Sequence, residues 1–368
     1  MAFRCLQKCG GPGVSIIFLV LTYCVVLAHA VASPVHRDPW NYERGLTCKK
    51  PIVRKEWRTL SKVEKARYLE AVQCFLVKPA ITPKSDAPGV VSRYDDIVAT
   101  HVLQTFSIHY VGHFLPWHRW FTGVYEKSLR DECGYSGAQP YWDWTIDAKH
   151  ASDWTKSPVF DPVDGFGKNG PLIPVNQSDP FEVPGRTGGG CVADGAFQNM
   201  TVRMGPHDSV SGNPRCLSRD LSPYFAGRYL GMNQTRLTLS QPDFGWFDKV
   251  VEGGPSFDAS GVHGGGHYGV GGTYGQMGDL YASPADPIFW MHHANLDRVW
   301  WSWQVRDLSK RLRDISGPIN LMDYNNTLGG NVTLDFQMSV GVNAKNVSVR
   351  DTMDIMGGVL CYSYDKLY

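Results

Sequence analysis

Eight of the twelve histidines fall in two short windows: His101, His109, His113 and His118, then His263, His267, His292 and His293. A single histidine is more often a packed or solvated side chain than a ligand, but two clusters on helix-forming stretches shift that balance, and the fold has to account for both. His263 and His267 are four residues apart, so on a helix they project from one face and can grip one metal ion. Gly264, Gly265 and Gly266 lie between them, each costing roughly 1 kcal/mol of helix propensity. Something besides local helicity must hold that turn, and metal ligation would do so. Imidazole suits copper, zinc, iron and nickel; the lack of a thiolate or carboxylate beside the pair tilts the choice modestly toward copper.

The surrounding pattern is mainly helical. Ser61 and Glu64 form a capping box ahead of a helix over 61–77, with Val63, Ala66, Leu69, Val72 and Phe75 near helical spacing. A second helix is expected from Asp95 or Asp96 to about Thr105, and a third beside His118, where Trp117, Trp120, Phe121 and Val124 recur. Residues 157–223 are rich in Gly, Pro, Asn and Asp and read as a long loop that wraps a core and needs bridges to hold it. In the last helix Asp286 caps, Pro287 suits the first turn, and Phe289, His293, Leu296, Trp300 and Trp303 share a face. Beyond Pro318 come polar turns and β-like runs such as Val332–Phe336. The expected fold is mainly α, with a four-helix-bundle core, long loops and a few short strands.

Arg4 and Lys8 precede an apolar run from Ser15 to Ala32 that closes on Ala-Val-Ala. This reads as a secretory signal peptide over 1–32, leaving 33–368 as one domain; an uncleaved membrane anchor is the alternative. Outside the leader remain Cys48, Cys74, Cys133, Cys191, Cys216 and Cys361, an even set that suggests disulfides in an exported chain. The spacing selects no pairing, although Cys191 with Cys216 would restrain the loop-rich stretch. Sequons at Asn176, Asn199, Asn233, Asn325, Asn331 and Asn346 agree with export and N-glycans. A formal net charge of +1 gives no electrostatic footprint for nucleic acid or an anionic membrane.

The segments YDDIVATHVLQTFSIHYVGHFLPWHRWF, PYWDW, VHGGGHYGVGG and SPADPIFWMHHANLDRVWWSW occur in that order. Together they resemble the two copper-binding regions of tyrosinases and catechol oxidases, most of all the short, secreted fungal-type members. The resemblance implies two copper ions, His101, His109 and His118 on the first and His263, His267 and His293 on the second, in a domain without a C-terminal shielding domain. It also implies dioxygen and a small phenol as reactants, an o-diphenol being oxidised to its o-quinone. His293 is preferred over His292 because the family ligand is the second histidine of the pair, four residues before an aspartate, here Asp297. One helical turn away, that carboxylate is expected to orient the imidazole. His292 is expected to line the pocket or support a ligand, and His113, His150 and His207 receive no role. Trp117, Trp142, Trp144, Phe289 and Trp290 suit a dry core around the metals. Tyr362 and Tyr364 in LCYSY, with Arg54, resemble a pairing that joins the domain's two ends.

Three departures bear on mechanism. Ser107 stands where some relatives have a cysteine crosslinked to a copper histidine. Gly264 replaces the asparagine associated with monophenol hydroxylation, and Glu252 is the nearest upstream candidate for the glutamate that works with it. Leu280, thirteen residues before His293, takes the position of the family's bulky gate. Diphenol oxidation is therefore expected to outpace a weak monophenol hydroxylation. Rival readings are a haemocyanin-like oxygen binder, a di-zinc hydrolase, and a tailoring oxidase acting on a phenol or o-aminophenol of a natural-product pathway.

Overall fold

Ser61 and Glu64 cap a helix as the pattern requires: the Ser61 hydroxyl accepts from the Glu64 N–H at 3.3 Å, and the Glu64 carboxylate accepts from the Ser61 N–H at 2.8 Å. The computed structural model describes residues 48–175 and 181–368, all within one compact unit, Tyr42–Tyr368. The expected leader over 1–32, with Cys5, Cys9, Cys24 and His29, then His36, and the sequon at Asn176 lie outside the described residues.

That first helix, α1 (Lys62–Phe75), buries Tyr68, Leu69, Val72 and Phe75 against α3 (Phe114–Cys133), each large apolar side chain contributing roughly 1.5–3 kcal/mol. Between them, α2 spans Arg93–Ile108. It begins earlier than expected because Ser92 and Asp95 make a second reciprocal cap, and it runs past Thr105, leaving His109 immediately beyond its end. α3 starts four residues before His118 and ends where Gly134 takes a left-handed conformation, φ 66°.

Four later helices complete the frame: α4 (Pro223–Tyr229), α5 (Phe244–Glu252), α6 (Val262–Gly271) and α7 (Ile288–Gln304). Asp286 stands just ahead of α7, whose N-cap is Pro287, and its Oδ1 accepts from the Ile288 N–H at 3.0 Å. Every residue of α7 is buried, which explains its near-continuous apolar sequence. It packs on α3 and α6, and α2 packs on α3, so these four helices make the core. Trp117, Trp142, Trp144, Phe289 and Trp290 are all buried around it.

The described parts of the expected loop, residues 157–175 and 181–222, lie against this core and are held by side chains. The buried Arg219 pairs with Asp286 at 2.8 Å and donates to the Phe166 and Gly167 carbonyls, both at 2.7 Å. Cys191–Cys216 forms within it, as the loop's lack of other restraints suggested; Cys48–Cys361 and Cys74–Cys133 supply the pairings the spacing left open. Strand β1 (Ile52–Arg54) pairs in parallel with β2 (Tyr362–Tyr364), joining the two ends of the described domain. The expected strand over Val332–Phe336 is corrected: that segment turns, with Phe336 N–H donating to Thr333, and pairing starts at Gln337–Met338. No helix among the described residues is long and apolar enough to cross a membrane.

Candidate metal centre

His101 projects from the middle of α2, His109 stands just past its end, and His118 lies in the second turn of α3. Each is oriented by a backbone carbonyl at its Nδ1: Tyr281 O at 2.6 Å for His101, Thr105 O at 2.8 Å for His109, and Phe114 O at 2.9 Å for His118. A carbonyl can only accept, so Nδ1 carries the proton and Nε2 the lone pair. The Nε2 atoms of His101 and His118 are buried without a hydrogen-bond partner, an arrangement that is costly unless something else binds there.

The second group comes from α6 and α7. His263 and His267 are one turn apart on α6, and His293 faces them from α7. Met277 O fixes His267 Nδ1 at 3.0 Å, His267 Nε2 lies 3.3 Å from His293 Nε2, and His263 Nε2 is buried and unpartnered. Within each triad one nitrogen per ring lies within 4.8 Å of the others. The triads share one chamber, the His118 and His293 rings stacking at 4.6 Å and those of His109 and His263 at 5.7 Å.

Burial pushes all six imidazoles below their ordinary pKa, His109 and His267 to about 4 and the other four well below it. Neutral imidazoles with unused, converging lone pairs are the state a metal requires. Two all-nitrogen triads therefore fit a pair of borderline metal ions. Phe289, ring centroid 4.1 Å from His293, and Phe114, 4.6 Å from both His118 and His263, close the chamber with apolar surface.

The glycines of α6 serve helix packing. A Cβ on Gly265 would stand 2.7 Å from Tyr229 Cβ on α4, and one on Gly266 would run into the His292 ring on α7. These two positions let flanking elements approach closely enough to set the two ligand-bearing faces together, a contribution beside the metal ligation that the glycine run suggests.

His292 and His293 sit in different surroundings. His292 Nδ1 accepts from Trp144 Nε1 at 3.2 Å and its Nε2 donates to His263 O at 3.0 Å. Both nitrogens are spent on protein, so His292 buttresses His263. The expected link from Asp297 to the His293 ring is corrected. The Asp297 carboxylate accepts from Arg119 Nε, Arg54 Nη1 and the hydroxyls of Tyr362 and Tyr364, whereas His293 Nδ1 has no partner. Two buried guanidinium groups outcompete a neutral imidazole for it. Arg54 does sit over the Tyr362 ring, 3.5 Å from its centroid.

Glu252 lies at the end of α5, its Oε2 accepting from the Tyr110 N–H at 2.7 Å and its Oε1 buried without a partner. Gly264 is half-buried, and Leu280, 37% exposed, lines a cavity beside α6. His113 leads into α3 with its ring 4.4 Å from Phe336, and belongs to neither triad. Sequence reasoning missed the carbonyls of Tyr281 and Met277, which no side-chain pattern marks. It also missed Asp279, whose Oδ1 accepts from the Tyr281 and Ala282 N–H groups and fixes that turn. An aspartate two residues before the turn was the available signal.

Residues 91–306 match the family model described as the common central domain of tyrosinase. The tyrosinase-like protein phomQ1 of Diaporthe leptostromiformis is 36% identical over 86% of this chain and 78% of its own length. The N-acetyl-6-hydroxytryptophan oxidase ivoB of Emericella nidulans is 36% identical over 85% of this chain and 92% of its own. Among solved structures, a mutant polyphenol oxidase from Thermothelomyces thermophila superposes with a TM-score of 0.78 at 39% identity, covering 86% of this chain and 89% of that one.

Proposed function

Since this chain belongs to the tyrosinase family and is an oxidase of the tyrosinase type, we propose that it holds two copper ions and oxidises o-diphenols to o-quinones with dioxygen. The observation that carries the reading is the pair of facing histidine triads, whose free nitrogens converge in one apolar chamber. On this reading His101, His109 and His118 hold the first copper, and His263, His267 and His293 the second. Copper held there would supply the redox chemistry by which two diphenols give four electrons to one dioxygen, yielding two quinones and two waters.

The chain's own groups prepare that chemistry. Carbonyls of Tyr281, Thr105, Phe114 and Met277 fix four rings so that Nε2 is presented without reorganisation. Phe114 and Phe289 exclude water from the chamber. Gly264 offers no side chain to hold a basic water, and one Glu252 oxygen is occupied by the Tyr110 N–H. Diphenol oxidation therefore outpaces monophenol hydroxylation on this reading. We further propose a secreted glycoprotein with residues 33–368 as its catalytic domain. Three disulfides support this, as do the exposed asparagines of the sequons at Asn199, Asn233, Asn325, Asn331 and Asn346.

A role as a tailoring oxidase is favoured by one observation, the likeness to a relative named for oxidising a hydroxylated N-acetyltryptophan. Metal analysis of the purified protein, followed by rates on a catechol and its matching phenol, tests the proposal. Two coppers and a faster catechol are expected. One metal or none, or a phenol that reacts faster without a lag, overturns it.

A further inference from the structure

Beside the triads lies an open cavity of about 1020 Å³. Its wall adjoins the metal chamber through residues next to the ligands. Tyr268 follows His267 on α6, and Tyr281 lines the cavity while its carbonyl holds His101; the carbonyl that holds His267 comes from the buried Met277, between the lining residues Gln276 and Gly278. A single aromatic ring fills on the order of 150 Å³, so one catechol would leave most of this space empty. Cavities near the upper end of the usual range, about 300–1,000 Å³, suit ligands of several rings.

The wall is built from rings on fixed supports. Tyr268 and Phe257 stand edge to face at 5.0 Å and pack on the buried cluster of Val183, Phe225 and Tyr229. Elsewhere Tyr281 and His207 stand edge to face at 6.5 Å, beside Leu280. His207 has a left-handed backbone, φ 61°, and its N–H donates to Asp279 Oδ2 at 3.0 Å. A residue without glycine's freedom persists there only where its surroundings impose it. Asp279 imposes it, and the same carboxylate fixes the Tyr281 turn that orients His101.

Charge in the wall is internally satisfied. Arg215 donates to the Gln276 side chain and to the carbonyls of Met204 and Gly205, and Asp279 accepts three backbone N–H groups. Much of the remaining lining is aromatic or aliphatic, with Tyr268, Phe257, Tyr274, Tyr281 and Leu280, which suits stacking and edge contacts with a second ring.

We infer that this cavity is a second-ring subsite: the substrate is a phenol extended by an uncharged aromatic substituent, with Phe257 and His207 as specificity-determining residues. The inference rests on the proposed oxidase reading for the phenolic end alone. The test is calorimetric titration of the purified full-length protein, its metal first reduced, under nitrogen, where the ligand is not oxidised, with catechol and with catechol bearing a phenylethyl group at C4. The two-ring ligand is expected to bind at least about tenfold tighter. Phe257→Ala and His207→Gly, the latter keeping a residue that tolerates the left-handed backbone, should each erase most of that advantage. Equal affinities in the unaltered protein, or an unchanged ratio in both variants with unaltered thermal melts, overturn the subsite. Binding is read without dioxygen, so a chain that never oxidises catechol could still satisfy this test, and an active oxidase could still fail it.

Discussion

The imidazole of His292 rests directly on Gly266, so closely that a Cβ added to the glycine would overlap the ring's Cε1 and Nδ1. The ring cannot move aside, because Trp144 Nε1 and His263 O hold its two nitrogens. Gly266→Ala should therefore destabilise the protein by about 1–3 kcal/mol, the usual cost of overpacking a core. At Gly264 the nearest atom to a new Cβ is Ser260 Oγ at 3.1 Å, on a small side chain that can rotate. Gly264→Ala should be neutral or gain up to about 1 kcal/mol of helix propensity. Urea unfolding of both variants checks the contrast, and equal effects would contradict the packing described.

Adjacent histidines make the sharpest test of ligand assignment. His293 presents Nε2 to His267 at 3.3 Å, whereas both nitrogens of His292 are engaged by protein. His293→Ala is expected to lower bound metal from two ions to one. His292→Ala should retain two while losing about 1–3 kcal/mol of stability, since it strands the Trp144 donor and the His263 carbonyl. Metal content per chain, measured beside the unfolding midpoint, separates the two. Loss of metal in the His292 variant alone would reverse the assignment.

Much of this was legible in the sequence, for a physical reason in each case. The cap at Ser61 and the helix behind Asp286 follow local rules of hydrogen bonding that need no tertiary context. The i,i+4 pair His263 and His267 could be read because ligands on one helix keep fixed spacing, whereas His293 is supplied by the family resemblance alone. Tertiary competition was not legible. Asp297 is one turn from His293, yet Arg54 and Arg119 arrive from distant segments and take its oxygens. The glycines of α6 carry information about neighbours in α4 and α7 that no local pattern contains. His207 gave no signal at all, because its left-handed backbone depends on a carboxylate 72 positions away.

Asp297 ties both ends of the described domain to α7. Burial alone would raise its carboxyl, but Arg119 and Arg54, with the Tyr362 and Tyr364 hydroxyls, bring it below the ordinary value. A depressed folded-state pKa adds stability that is present above the unfolded value near ~3.9 and is lost as pH falls through the folded value. Asp297→Asn should cost about 3–5 kcal/mol at neutral pH, because it leaves buried guanidinium charge uncompensated. The difference between the native protein and the variant should shrink below about pH 4. Unfolding free energies at pH 7 and pH 3 measure it; a difference that stays constant would show that packing, and not charge, carries the effect.

Asp248 and Glu252 give the opposite pH dependence. They are one turn apart on α5, both buried, and Asp248 Oδ1 and Glu252 Oε1 lack partners. Burial raises both carboxyls well above the usual range; the Asp248 charge adds to the rise for Glu252, while Lys249 only partly offsets that of Asp248. A raised folded-state pKa means that the native form keeps protons the unfolded chain releases. The stability it confers is complete below the unfolded values, about 3.9–4.3, and declines as pH rises through the folded ones. Asp248→Asn combined with Glu252→Gln, which keeps an acceptor for the Tyr110 N–H, removes both titrations. The variant should therefore gain on the native protein as pH rises above the unfolded values, by roughly 1.4 kcal/mol for each pH unit over which one proton is held. Parallel unfolding titrations across that range measure the slope, and two parallel curves would mean that these carboxyls titrate as they do in the unfolded chain.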